Sequence, residues 1–215
     1  MTRIREQPVD WADLYSTASA NLWEQKPHEF SVLAAEIAPA GDALDLGCGE
    51  GYDALFLAEH GFSVTAVDIS DVALSGLDRM AHEKGADIRT QKVDVRSIEL
   101  SRQRAIIASY GVLHFLGVDY EERIKHFQDM TVDSGVHALY VFGGEGDFCD
   151  IAQHKYWFPS VDEVRRLYRN WTIHRLQEKT IPMLIRGDQG EVLHNSMIKL
   201  MAQKEENSSR KPDLH

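Results

Sequence analysis

Short apolar runs alternate with amphipathic stretches through the middle of the chain. Residues 43–46, 63–67, 88–93, 105–109 and 136–142 read as strands, and residues 53–59, 71–83 and 120–130 as helices. Gly61 and the pair Lys84-Gly85 close two of those helices, because glycine takes the left-handed conformation that ends a helix without a Cβ penalty. Alternation of this kind predicts an α/β fold of parallel βαβ units. Upstream, residues 30–37 read as a helix stopped before Pro39-Ala40-Gly41. Residues 1–30 carry Trp11, Tyr15, Trp23 and Phe30 among polar neighbours and read as one or two helices lying over the main domain.

Beyond Phe142 the pattern changes. Gly143-Gly144-Glu145-Gly146-Asp147 reads as a flexible stretch, continued by a loop to Pro159. Ser160 with Glu163 three residues on has capping-box spacing and opens a helix to about Arg169. Residues 171–178 and 191–201 are expected to be strands of a hairpin turning through Gly187-Asp188-Gln189-Gly190. With no repeats and no linker, the expectation is a single domain over 1–204. It comprises a helical cover (1–38), a core (41–142), and a lid loop with hairpin (143–204); a polar tail, 205–215, is expected to be disordered.

Composition narrows the function. Of 215 residues, 43% are hydrophobic and 27% charged, which excludes a disordered or fibrous class. The net charge of −11 opposes a nucleic-acid partner, whose phosphates need a basic footprint. Cys48 and Cys149 are too few for a disulfide framework and point to a reducing, cytoplasmic home. No apolar run is long enough for a membrane span, and no signal peptide is evident. A small-molecule substrate is what remains, for a monomer or homodimer.

The strongest local signal is Ala43-Leu44-Asp45-Leu46-Gly47-Cys48-Gly49-Glu50-Gly51, placed where a strand hands over to a helix. Glycines there permit a tight turn and close approach of a ligand. Asp68 ends the next strand, about 20 residues on, where a nucleotide-type cofactor presents its ribose hydroxyls. Dinucleotide folds use G-x-G-x-x-G with a pyrophosphate at the helix start. Here the spacing is G-x-G-x-G, and Asp45, Glu50 and Asp53 would repel a pyrophosphate. Such a site suits a cofactor with no phosphate and a positive centre, a description that S-adenosylmethionine fits.

At these residues the chain resembles the class I S-adenosylmethionine-dependent methyltransferases. The resemblance implies a Rossmann-like seven-stranded mixed sheet with helices on both faces and a C-terminal antiparallel hairpin; the strand reading supplies seven strands on its own. It implies that Asp45 and the turn Gly47-Cys48-Gly49 belong to the cofactor site, with Gly47 and Gly49 lining the methionine part. Asp68 then holds the ribose and Ile69 packs on the adenine. Asp94, followed by Val95, sits where the family bonds the adenine amino group. The segment from Ser109 and Tyr110 to His114 sits under the methionine moiety and faces the substrate. A narrower likeness, in Tyr156-Trp157-Phe158, the helix after it and the final hairpin, is to the tellurite-resistance (TehB-like) branch, which methylates small or soft nucleophiles including chalcogen oxyanions. Arg186 is retained there, while Ile185 stands where that branch is expected to carry a histidine.

The implied reaction is in-line transfer of a sulfonium methyl to a small nucleophile (N, O, S or chalcogen), leaving S-adenosylhomocysteine. Alignment and a water-poor pocket matter most for such a displacement. His114 is the first candidate base, with His194 and His154 next; Tyr15 could close over the substrate and Arg186 could hold an anionic one. Asp147, Asp150 and His154 form the only tempting metal cluster, and no metal is expected. A non-catalytic module that binds the same cofactor, or a nicotinamide-dependent oxidoreductase, are the competing readings.

Overall fold

The computed structural model describes residues 25–152, 155–186 and 189–206. A helix α1 (Glu29–Ile37) precedes β1 (Asp42–Leu46), α2 (Tyr52–Glu59), β2 (Ser63–Asp68), α3 (Asp71–Lys84) and β3 (Ile88–Lys92). Then follow β4 (Arg104–Tyr110), a 3-10 segment (Leu113–Asp119), α4 (Tyr120–Asp129), β5 (Thr131–Gly146), α5 (Asp147–Ala152), α6 (Val161–Leu167), β6 (Trp171–Arg186) and β7 (Val192–Lys204). The strands form one sheet in the order β3-β2-β1-β4-β5-β7-β6. The first five run parallel, and β7 enters antiparallel between β5 and β6.

Local chemistry explains the elements. β4, RAIIASY, is a near-continuous apolar run in the middle of the sheet, and its neighbour β1, DALDL, is buried from Ala43 to Leu46, as strands covered on both faces require. Ser70 caps α3 by accepting the Ala73 N–H, and Gly85 ends it at φ 61°. The predicted Ser160 cap forms: its Oγ accepts the Glu163 N–H at 3.2 Å. Two apolar clusters flank the sheet. One holds Phe30, Leu57 and Leu77 from α1–α3; the other holds Leu116, Phe127 and Val164 from the 3-10 segment, α4 and α6, with Tyr168 just after α6.

The stretch after Phe142 departs from the sequence expectation of a flexible lid loop. β5 runs on to Gly146 and α5 follows directly, with Cys149 and Ala152 buried. The glycines serve close packing instead of mobility. A Cβ on Gly143 would fall onto Ser196 Oγ of β7 and 2.8 Å from Glu178 Oε1 of β6. Asn195, fully buried, ties the region together: its amide donates to the carbonyls of Gly143 and Ser196, and its oxygen accepts the Cys149 N–H. The hairpin strands are also longer than expected, 16 and 13 residues. Among the described residues, no helix is long and apolar enough to cross a membrane.

Candidate active site

The glycine turn lies between β1 and α2, at the carboxyl edge of the sheet, where open α/β folds bind ligands. Gly47, Gly49 and Gly51 have φ of 70°, 51° and 81°, a region only glycine enters freely. The N–H groups of Gly47 and Cys48 both donate to the carbonyl of Val67, at 2.8 and 2.9 Å, which ties the turn to β2. A side chain on Gly47 would collide with Val112, and one on Gly51 with Leu77, so the turn is wedged between the segment after β4 and α3.

Three carboxylates surround this turn. Asp68 accepts the Gly49 N–H through Oδ2 at 3.0 Å and the Ser70 N–H through Oδ1 at 2.9 Å. Both oxygens retain lone pairs for further donors. Asp45 is 2% exposed, and its Oδ2 has no hydrogen-bond partner. Burial, then the charges of Asp53 and Asp68, push its pKa well above the usual carboxylate range, against one stabilising bond from the Ala54 N–H. Desolvation, with Asp45 and Asp68 nearby, likewise raises the Cys48 thiol, which is therefore not a ready thiolate. A buried, unpaired carboxylate oxygen in an acidic pocket favours a cationic guest and disfavours a phosphate.

Other sequence-derived candidates fall into distinct surroundings. Ile69 is half exposed beside Asp68. Asp94 is gripped by Arg96, whose Nε reaches both carboxylate oxygens at 3.0 Å, and this pairing lowers its pKa; Val95 beside it is buried. Ser109 is fully buried and donates its hydroxyl to the Leu46 carbonyl at 3.1 Å, so it joins β4 to β1. His194 is exposed on β7, its backbone N–H donating to Asp147 Oδ2. Tyr15, His154 and the side chain of Arg186 lie outside the described residues, as do residues 207–215 of the expected tail. Among the described residues, no three His, Cys, Asp or Glu side chains converge as metal ligands.

His114 is 2% exposed in an aromatic box. Phe115, Phe142, Phe148, Tyr156 and Phe158 stand 4.0, 4.9, 5.7, 5.6 and 6.2 Å from its ring centre. Its Nδ1 has no partner, and burial alone lowers its pKa to about 3. The imidazole is thus neutral at physiological pH and a weak proton acceptor, but a competent hydrogen-bond partner.

One constellation escaped the sequence reading. His28, at the N-cap of α1, places Nδ1 2.7 Å from Asp53 Oδ2, and its backbone N–H donates to Asp53 Oδ1 at 2.9 Å. The imidazole stacks on Tyr110, with centroids 3.9 Å apart and planes at 16°, and meets the edge of Tyr140 at 5.2 Å. The Tyr110 hydroxyl pairs with Ser31 Oγ at 2.7 Å. Asp53 follows the glycine turn by two residues, and Tyr110 closes β4, so the dyad sits at the same sheet edge. A separation of 25 residues hides this pair in the sequence; the signal that was legible was an acidic residue just past the last glycine.

The family described as tellurite resistance protein TehB matches residues 15–200. Hemagglutinin 1 of Eikenella corrodens is 28% identical over 162 residues, covering 75% of this chain and 54% of that one. A probable S-adenosyl-L-methionine-dependent methyltransferase TehB of Haemophilus influenzae is 26% identical over 145 residues, covering 67% of this chain and 50% of that one. The chain therefore spans about half the length of the curated relatives it matches. The crystal structure of TehB from Haemophilus influenzae superposes with a TM-score of 0.72 at 21% identity, over 91% of this chain and 67% of that one.

Proposed function

Because the chain belongs to the TehB family over residues 15–200, we propose that it is an S-adenosylmethionine-dependent methyltransferase acting on a small-molecule nucleophile. The observation that carries this reading is the orphaned Oδ2 of Asp45, buried beside a left-handed glycine turn and two further carboxylates. These residues fit a ligand that is cationic and phosphate-free. When bound, S-adenosylmethionine supplies an electrophilic methyl on a positively charged sulfur.

The chain's own residues then have separable tasks. Asp68, with lone pairs left after its two backbone bonds, takes the ribose hydroxyls, and exposed Ile69 offers an apolar surface to the adenine. The turn Gly47-Cys48-Gly49 and Asp45 receive the charged amino-acid end. Asp94 is held by Arg96, so a contact from it to the base competes with that pair. The aromatic box around His114 excludes water from the acceptor side, which favours displacement at a cationic methyl. The net charge of −11 supports a small acceptor over a nucleic acid. Two free cysteines fit a reducing, cytoplasmic setting.

Calorimetry with S-adenosylmethionine, S-adenosylhomocysteine and NAD tests the reading. Binding of the first two is expected, and Asp68→Ala should weaken it by about 1.5–3 kcal/mol, the range for hydrogen bonds to a charged group. Binding of NAD with no response to either adenosyl compound would overturn it. Transfer of label from methyl-labelled S-adenosylmethionine to a small product would then establish catalysis over mere binding.

A further inference from the structure

We propose that His28, oriented by Asp53, is the proton acceptor for an incoming O–H or S–H nucleophile; the inference rests on the methyl-transfer reading and deepens it. Both carboxylate oxygens of Asp53 are engaged by His28, one by the ring and one by its backbone N–H, at 2.7 and 2.9 Å. That double tether fixes the ring. It also fixes the tautomer: Nδ1–H donates to the carboxylate, leaving Nε2 bare. Stacking on Tyr110 holds the plane of the ring, and the bond to Asp53 selects the orientation within it. The His28 side chain is 40% exposed while Asp53 is 10% exposed, so the imidazole reaches out from a buried anchor.

Position supports the role. Tyr140 and Phe142 point to the same side of β5, about 7 Å apart as alternate strand residues. His28 packs against the first and His114 against the second. The two histidines thus pack against neighbouring positions on one face of β5. His114 is buried in an apolar box with its pKa lowered to about 3, and is poorly suited to take a proton. His28 has the solvent access and carboxylate support that it lacks. Among the described residues, charged and titratable groups facing the dyad include Asp45 from β1, Tyr110 from β4 and Tyr140 from β5, with Glu29 and Lys199 paired at 3.0 Å beside Tyr140.

In the proposed step the nucleophile's heteroatom bonds to the methyl carbon as the carbon–sulfur bond breaks. The electron pair of that bond stays on sulfur, which becomes neutral. The proton shed by the nucleophile passes to His28 Nε2, and the resulting imidazolium is held by Asp53. Asp53 is a positioning residue; His28 is the catalytic one.

The test uses the full chain in three readouts, gated by calorimetry with S-adenosylhomocysteine. First, nitrogen NMR of labelled histidine should show one ring, absent from the His28→Gln spectrum, protonated at Nδ1 and bare at Nε2. Asp53→Asn should convert it to a mixed or Nε2–H form. Second, diethyl pyrocarbonate should acylate His28, and saturating S-adenosylhomocysteine should slow that at least fivefold while leaving exposed His60 unchanged. Third, His28→Gln should bind S-adenosylhomocysteine as the parent does, yet lose about 100-fold in kcat on 2-mercaptoethanol or catechol as probe acceptors, the scale of general-base catalysis. The first two readouts need no acceptor. If S-adenosylhomocysteine binds but His28 acylation is unaffected, or if its resting tautomer is Nε2–H, this inference falls and the methyl-transfer reading stands. If no adenosyl compound binds, the reading fails and takes the inference with it.

Discussion

At the scale of the residue, the acidic pocket trades stability for affinity. Burial and the charges of Asp53 and Asp68 all oppose ionisation of Asp45, so a negative charge there opposes folding. Asp45→Asn removes that charge while keeping the shape. The variant should melt at a higher temperature, by about 2–4 °C for each kcal/mol relieved in a chain of this size, and bind S-adenosylmethionine more weakly. Differential scanning calorimetry and titration on the same sample read both. A variant that gains stability and keeps full affinity would remove Asp45 from the site. Much of this was legible beforehand: the nonapeptide at 43–51 and the Asp68 register marked the turn and its carboxylates. His28 was not, because nothing in a sequence ties an N-cap histidine to an aspartate 25 positions later. Ser109 was legible as a residue at the right strand end, but its hydroxyl serves the Leu46 carbonyl. Strand position places a residue without saying which neighbour takes its side chain.

At the scale of the element, the region from β5 to β7 behaves as packed structure. Gly143→Ala should cost about 1–3 kcal/mol, the usual penalty of overpacking, since the new methyl lands on Ser196 Oγ. Adding Ser196→Ala should recover part of it; chemical denaturation of the single and double variants measures the coupling. A second junction joins β5 to the residue after α6. His137 is buried, its Nδ1 paired with the Tyr168 hydroxyl at 2.7 Å and its Nε2 with Thr131 Oγ1 at 2.9 Å. Burial lowers its pKa to about 3, as it does for His114. An unfolded histidine takes its proton near pH 6.5. Between about 6.5 and 3 the unfolded chain therefore binds more protons than the folded one, and stability falls as the pH falls. Urea midpoints should drop steadily over that interval, and less steeply in His137→Gln. The parallel strands and their helices were readable from alternation and glycine caps. The 143–152 stretch was misread as a loop because glycines forced by a close strand look, in sequence, like glycines chosen for freedom.

At the scale of the whole molecule, a ligand that binds only the folded form raises its stability by mass action. S-adenosylhomocysteine at about 100 times its dissociation constant should add about 2.7 kcal/mol, seen as a rise in thermal midpoint that NAD does not produce. The seven-stranded mixed sheet was legible as seven strand-like segments; its order was not, since hydrophobic pattern does not say which strands are neighbours. That order has a consequence of its own. β7 lies inside the sheet, yet it follows both of its neighbours, β5 and β6, along the chain. Until it emerges, β5 shows an open edge and β6 lacks its sheet neighbour, so the nascent chain carries unpaired strand edges from the completion of β5 until β7 docks. Premature termination anywhere before residue 192 should yield an aggregating fragment, not a smaller working protein.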